Sequence, residues 1–523
     1  MRSRCSSSWI FQLSVRCWFV LLLTVPADGQ STSPRLTVLV VAEQFRADYL
    51  DSYGADFSDR GIGRLVEGGT VVKRSRFDYL TTLSAPGSAT LATGAWPNAH
   101  GIIANSWYDP GLGAIVDAAG PAENPGPSAL VGSTVADQLM LAAAGRSKVL
   151  AVSGSSAPGI LLAGRKPTGC YWLGQGGQFR TSAYYSKALP GWVRKFNEEQ
   201  PLVGSGPHRV WRAFTAEPSS PPLRILQGEA FPNLYRASPF AVETTFDFAR
   251  SAVVNERLGE RDYPDLLIIN LSAPALLALE TGAHSPLMRD MILRIDQSLA
   301  LFLDWLDTQV DDVAIAFTGA HGTPPQAADL MGAGLRLRRV SGESIVQKVT
   351  AALEGEPSPR FFVQKYVYPF LYLGGSTPLA TEGDRRRAAQ IAARAAESVP
   401  GVERAYFGKD SMARLERSMF VGRSGDVALA YEPFTVEAYG ANRGVASGSY
   451  QRYDTDVPLI FYGARFRQMT IERDVPATVV APTLAALLGV SMPSGAGESP
   501  LAEALIPVQP AVPGPPDPGG AVE

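Results

Sequence analysis

The sequence is short of the residues that most often organise a metal centre or a covalent framework. It has four histidines and three cysteines in 523 residues. Two of the cysteines, Cys5 and Cys17, fall in residues 1–29, which read as a secretory signal. Arg2, Arg4 and Arg16 precede an apolar run at 18–25, and Ala27-Asp28-Gly29 offers small residues for cleavage. Cys170 then stands alone, which excludes an intramolecular disulfide and a cysteine metal cluster. The apolar run of the signal is too short to span a bilayer. The expectation is therefore a periplasmic or secreted protein with no membrane span once the signal is removed. Positive charge is not in excess either: a formal net charge of −3 lacks the basic balance of a nucleic-acid binder.

What is present is enough apolar material, 46% of residues against 19% charged, to bury a large core. From residue 36 onward apolar runs alternate with amphipathic stretches, the pattern of an α/β protein with a mainly parallel sheet covered by helices. Strands are expected at 36–41, 148–152, Asp265–Leu271, Val313–Thr318 and 456–463. Ser285-Pro286 opens a helix whose Met288, Met291, Ile295, Leu299, Phe302 and Leu306 share one face. In open α/β sheets ligands gather at the carboxyl ends of the strands, which brings forward Glu43, the residues after Leu271, and His321. Residues 506–523, dense in Pro and Gly, read as a disordered tail.

The stretch Thr81-Thr82-Leu83-Ser84-Ala85-Pro86-Gly87-Ser88 delivers one hydroxyl, Ser84, just where Pro86 and small residues let a helix begin. A helix N-terminus favours an anion, so the position suits a phosphoryl-accepting nucleophile; an ordinary N-cap serine fits it as well. Together with the strand ending in Ala42-Glu43-Gln44 and the run Asn105-Ser106-Trp107-Tyr108-Asp109, this stretch resembles the alkaline phosphatase superfamily. The resemblance is nearest to its bacterial periplasmic phosphomonoesterases and to the type I phosphodiesterase/nucleotide pyrophosphatases. It implies a three-layer α/β/α sandwich over residues 30–505, with inserted cap segments at about 165–240 and 334–440. It also implies Ser84 as the nucleophile position, Asn105 as the phosphoryl contact, and Glu43 and His321 as metal-ligand positions.

The same resemblance exposes departures. The superfamily's reaction uses two zinc ions, which need about six Asp and His donors. Matching the motifs puts Ala275 and Leu279 where an Asp-x-x-x-His pair belongs, Ala320 before His321 where an Asp belongs, and Ser447 at a late histidine. A Lys-x-Arg clamp on the phosphoryl group falls on Ser155 and Ala157. Glu280 and His284 reproduce a carboxylate-x-x-x-His spacing five residues on, and a remodelled loop would make them replacement ligands; the Gly282 turn and the Ser285-Pro286 helix start match the superfamily's register without a shift, which favours a surface pair beside a helix N-terminus. Bland alternatives stand beside each assignment. Glu43 would hydrogen-bond backbone N–H groups, Asn105 would be a turn residue, and His321 a satisfied buried histidine. The expectation is a degenerate phosphoesterase, a pseudoenzyme without a metal cofactor, kept as a binding or scaffold protein for a small phosphate ester or anion. The alternative is an active phosphate-ester hydrolase with an atypical or single-zinc site.

Overall fold

The computed structural model describes residues 33–199, 208–214, 217, 220–356, 360–375, 380–408, 412–438 and 446–507. The signal segment, and all but the first two residues of the expected tail, lie outside them. A ten-stranded sheet dominates the fold. Its strands are β1 (Leu36–Ala42), β2 (Thr70–Arg76), β3 (Val149–Ser153), β4 (Gly169–Leu173), β5 (Phe179–Arg180), β6 (Asp265–Leu271), β7 (Val313–Thr318), β8 (Asp456–Tyr462), β9 (Met469–Ile471) and β10 (Val475–Pro476). The order across the sheet is β9-β2-β8-β7-β1-β6-β3-β4-β5, with β10 also on β2. The centre, β7-β1-β6-β3-β4, is parallel, while β8 runs antiparallel to both β7 and β2.

Every residue of β1 and of β6 is buried, as strands covered on both faces require. Side chains alternate between the two covers. Val38 and Val40 join Met291, Ile295, Leu299 and Phe302 in one core. Leu39 and Val41 join Leu91, Ala92, Leu484 and Leu487 in the other. This is the three-layer sandwich. The helices that matter for the site are α1 (Ser84–Thr93), α2 (Ser156–Ala163), α3 (Phe231–Arg236), α4 (Ala273–Thr281) and α5 (Pro286–Leu306). The expected start of α5 is realised: the Ser285 hydroxyl accepts from Met288 N at 3.1 Å, with Pro286 at the first helical position.

A second, antiparallel sheet is built from Phe361–Val367, Phe370–Gly375, Val427–Tyr431 and Val402–Phe407. Helices Gly342–Glu354 and Glu382–Glu397 back it, with a core of its own around Ile345, Val349, Leu373, Ala392 and Leu429. It is held to the main body through Asp78, which accepts from Arg414 Nε at 2.7 Å and pairs with Arg417. Among the described residues no helix is long and apolar enough to cross a membrane.

Candidate functional site

The register of the parallel strands sets the site. Val41 lies opposite Asn270 and Thr318, and Asn270 opposite Ser153, so β1, β6, β7 and β3 end level. The residues just beyond, Glu43, Ser272, His321 and Ser155, therefore share one rim. Helix α1 comes to that rim because of Gly87: a Cβ there would sit 2.1 Å from the Ala320 carbonyl oxygen. Only a residue without a side chain allows the first turn of α1 to lie against the loop after β7.

Ser84 is the first helical residue of α1, not its N-cap. The cap position is Leu83, which makes no side-chain capping bond. The reading of Ser84 as an ordinary capping serine is thus corrected, because its hydroxyl turns toward the sheet instead. Ser84 Oγ donates to Glu43 Oε2 at 2.5 Å and lies 3.2 Å from His321 Nε2. His321 Nδ1 is 2.7 Å from the Gly322 carbonyl, which places a proton on Nδ1 and leaves Nε2 as the acceptor facing Ser84. Burial lowers the His321 pKa to about 4, so the ring is neutral at ordinary pH.

Glu43 is 2% exposed, and the alternative in which it binds backbone N–H groups is also corrected. Its partners are side chains: Ser84, Asn270 Nδ2 at 3.1 Å, and Ser272 Oγ at 3.4 Å. Burial raises the carboxyl pKa, with the hydrogen bonds from Ser84, Asn270 and Ser272 opposing it. No cation is among these partners. Asn105, expected either as a phosphoryl contact or as a turn residue, accepts from Ala85 N through Oδ1 at 2.9 Å. That bond satisfies one of the free N–H groups at the head of α1 and leaves the amide NH₂ without a partner among the described residues.

These groups lie on the floor of a cavity of about 1970 Å³ roofed by the second sheet. Ala275, Leu279, Ser155, Ala157 and Ser447 all line the same cavity. Ala320 is fully buried beside it. The structure does not bring Glu280 and His284 to Ser84. Glu280 is held by Arg224 at 2.8 and 3.0 Å, and the His284 ring packs edge-on to Tyr49 at 6.2 Å between centroids. Among the described residues no three His, Cys, Asp or Glu side chains converge to hold a metal ion. Glu43 and His321 supply two donors where a two-zinc centre needs about six, so the residues present do not fit that centre.

Asn270 and Gln44 escaped the sequence reading, and Ser272 was covered there only as one of the residues after Leu271. Asn270 and Ser272 hold Glu43, and an Asn inside an otherwise apolar strand was the available signal. Gln44 takes a left-handed backbone, φ 58°, which is unusual for a residue with a side chain. Its amide donates to Ser447 Oγ at 3.2 Å, and its own Oε1 is buried without a partner among the described residues.

The model of the type I phosphodiesterase / nucleotide pyrophosphatase family matches residues 37–344. Alkaline phosphatase PafA of Elizabethkingia meningoseptica is 27% identical over 94% of this chain and 100% of its own length. Alkaline phosphatase PhoV of Synechococcus elongatus is 27% identical over 88% of this chain and 91% of its own. The crystal structure of PafA superposes with a TM-score of 0.80 at 25% identity, covering 90% of this chain and 99% of PafA.

Proposed function

The chain belongs to the type I phosphodiesterase / nucleotide pyrophosphatase family, and from that premise we propose that it is an exported, degenerate phosphoesterase. In this reading the pocket binds a small phosphate ester or anion without turning it over by the two-zinc reaction. One observation carries the proposal. The oxygen that would attack phosphorus is tied 2.5 Å from a buried carboxyl that itself bonds only to neutral groups. The other positions that would bring donors to that oxygen are Ala275, Leu279, Ala320 and Ser447. Loss of one preorganised charge-stabilising group typically costs about 10²–10³ in rate, and here several are replaced at once.

Asn105 keeps a role in this reading: its NH₂ is the donor for an anionic oxygen above Ser84. Ser84 gives its single proton to Glu43, so it offers an anionic oxygen no donor, and Asn105 carries that contact. The rival reading, an active hydrolase with a single zinc, draws on the approach of Glu43 and His321 to the same hydroxyl. Metal analysis of the purified protein together with a p-nitrophenyl phosphate assay separates the two. The expected result is no stoichiometric zinc and no turnover above a Ser84→Ala control. Zinc at one equivalent or more, with hydrolysis abolished by Ser84→Ala, overturns the proposal.

A further inference from the structure

Helix α4 turns one stripe toward the cavity and another into the core. Ser272, the residue before α4, already has helical backbone, so Ser272, Ala275, Leu276 and Leu279 follow the i, i+3, i+4, i+7 spacing of a single face. All four line the cavity. Leu277 and Ala278, on the other side, are fully buried in the core shared with β1. The stripe is anchored at the Ser84 end: Ser272 Oγ is 3.4 Å from Glu43 Oε1, and Glu43 Oε2 is 2.5 Å from Ser84 Oγ. From there it climbs two turns, about 10 Å, to Leu279.

Above Ser272 the stripe holds no polar side chain. Ala275 and Leu279 stand where the resemblance puts a carboxylate and an imidazole, and Leu279 is 46% exposed. Ile115, 50% exposed, adds apolar surface to the same cavity from the strand Ala114–Asp117, which pairs with the strand that follows Asn105. The cavity, about 1970 Å³, holds far more than a phosphate group, since sites for whole organic ligands measure roughly 300–1,000 Å³. A sugar or polyol laid along α4 would press its hydroxyls against methyl groups and leave them without partners. An alkyl or aryl group there removes apolar surface from water on both sides of the contact.

We infer that Ala275, Leu276 and Leu279 form the wall that receives the apolar part of an alkyl or aryl phosphate monoester, whose anionic end lies at the Asn105 amide over Ser84. The inference rests on the reading of the cavity as a phosphate-ester pocket, and it names the class of ester. The replacement of metal donors by apolar residues then sets what the cavity selects. These are binding residues, and no bond is made or broken.

The test is calorimetric titration of the full chain with inorganic phosphate, ethyl phosphate and hexyl phosphate, in wild type, Leu279→Ser and Leu141→Ser. Leu141 is a 74% exposed leucine that does not line the cavity, which makes it the control. Thermal melts without ligand check that each variant is folded. Each buried methylene tightens binding by about threefold, so hexyl phosphate, four methylenes longer, is expected to bind wild type at least tenfold more tightly than ethyl phosphate. Leu279→Ser should cut that preference at least threefold while binding ethyl phosphate as wild type does, and Leu141→Ser should keep the preference whole. Equal affinity of wild type for the two esters, or an undiminished preference in folded Leu279→Ser, overturns this inference and leaves the pocket reading standing. Binding of none of the three ligands by wild type overturns both.

Discussion

Ser84 Oγ and Glu43 Oε2 lie 2.5 Å apart, although 41 residues separate them in the chain. The contact brings the head of α1 onto the carboxyl end of β1. It turns what would be a nucleophile into a member of a closed hydrogen-bonded group with Asn270, Ser272 and His321.

If Glu43 serves as a hydrogen-bonding hub, its shape matters more than its charge. Glu43→Ala strands the partners that now bond to it, and each stranded buried polar group costs about 1–3 kcal/mol. Glu43→Gln keeps the size and an acceptor oxygen, so its cost is expected to be under about 1 kcal/mol. Urea unfolding of both variants measures the difference; equal destabilisation by Gln and Ala would show that the ionised carboxylate is what the fold requires.

Gly87→Ala places a methyl 2.1 Å from the Ala320 carbonyl, a backbone atom that cannot rotate away. The expected loss is about 1–3 kcal/mol, the range for overpacking a tight contact. Denaturant unfolding reads it directly. A variant of unchanged stability would mean that α1 shifts freely against the loop after β7.

Asp454 supplies a pH signature away from Ser84. It is 1% exposed, and its Oδ2 accepts from Ser449 N at 2.9 Å and Ser449 Oγ at 2.5 Å, holding the loop that carries Ser447. Burial pushes its pKa up from 3.8 to about 7, with the Ser449 hydrogen bonds opposing. A raised carboxyl pKa means the native state holds the proton longer than the unfolded chain does. The contribution to stability is therefore complete below the ordinary aspartate range and is lost as pH rises through about 7. The slope is about 1.4 kcal/mol for each pH unit between those limits. Wild type should lose stability between pH 5 and pH 8 relative to Asp454→Asn, as followed by urea unfolding at each pH.

The donor deficit can be reversed in part. Ala320→Asp combined with Ser447→His adds two ligands to Glu43 and His321, and four donors are what a tetrahedral zinc requires. Without metal the double variant should be less stable than wild type, because Ala320 is fully buried. Added zinc should raise its melting temperature and EDTA should remove that gain, since a ligand bound only by the native state stabilises it. Wild type should show neither response.

The legible part of the fold came from patterns confined to short windows. The unbroken apolar run of β6 and the face of α5 from Met288 to Leu306 are readable because burial repeats with the period of the element. The antiparallel course of β8 was not readable, because a buried strand has the same composition in either direction. Of the site, Ser84 and the carboxyl-end positions could be placed from the Ala-Pro-Gly turn and the strand ends. The partners that hold Glu280 and His284 away from it, Arg224 and Tyr49, could not, since both are distant in sequence.

The sequence by itself determined the sandwich, the turn that presents Ser84, and the absence of donors at Ala275, Leu279, Ala320 and Ser447, because each depends on which residue occupies one local position. Only the tertiary structure decided how the space around Ser84 is filled. Asn270 and Ser272 reach Glu43 from more than two hundred residues away, and Gln44 adopts a left-handed backbone to meet Ser447. Pairings between polar groups so far apart leave no periodic trace in the chain. They arise when strands in register end level and the buried groups there must satisfy one another.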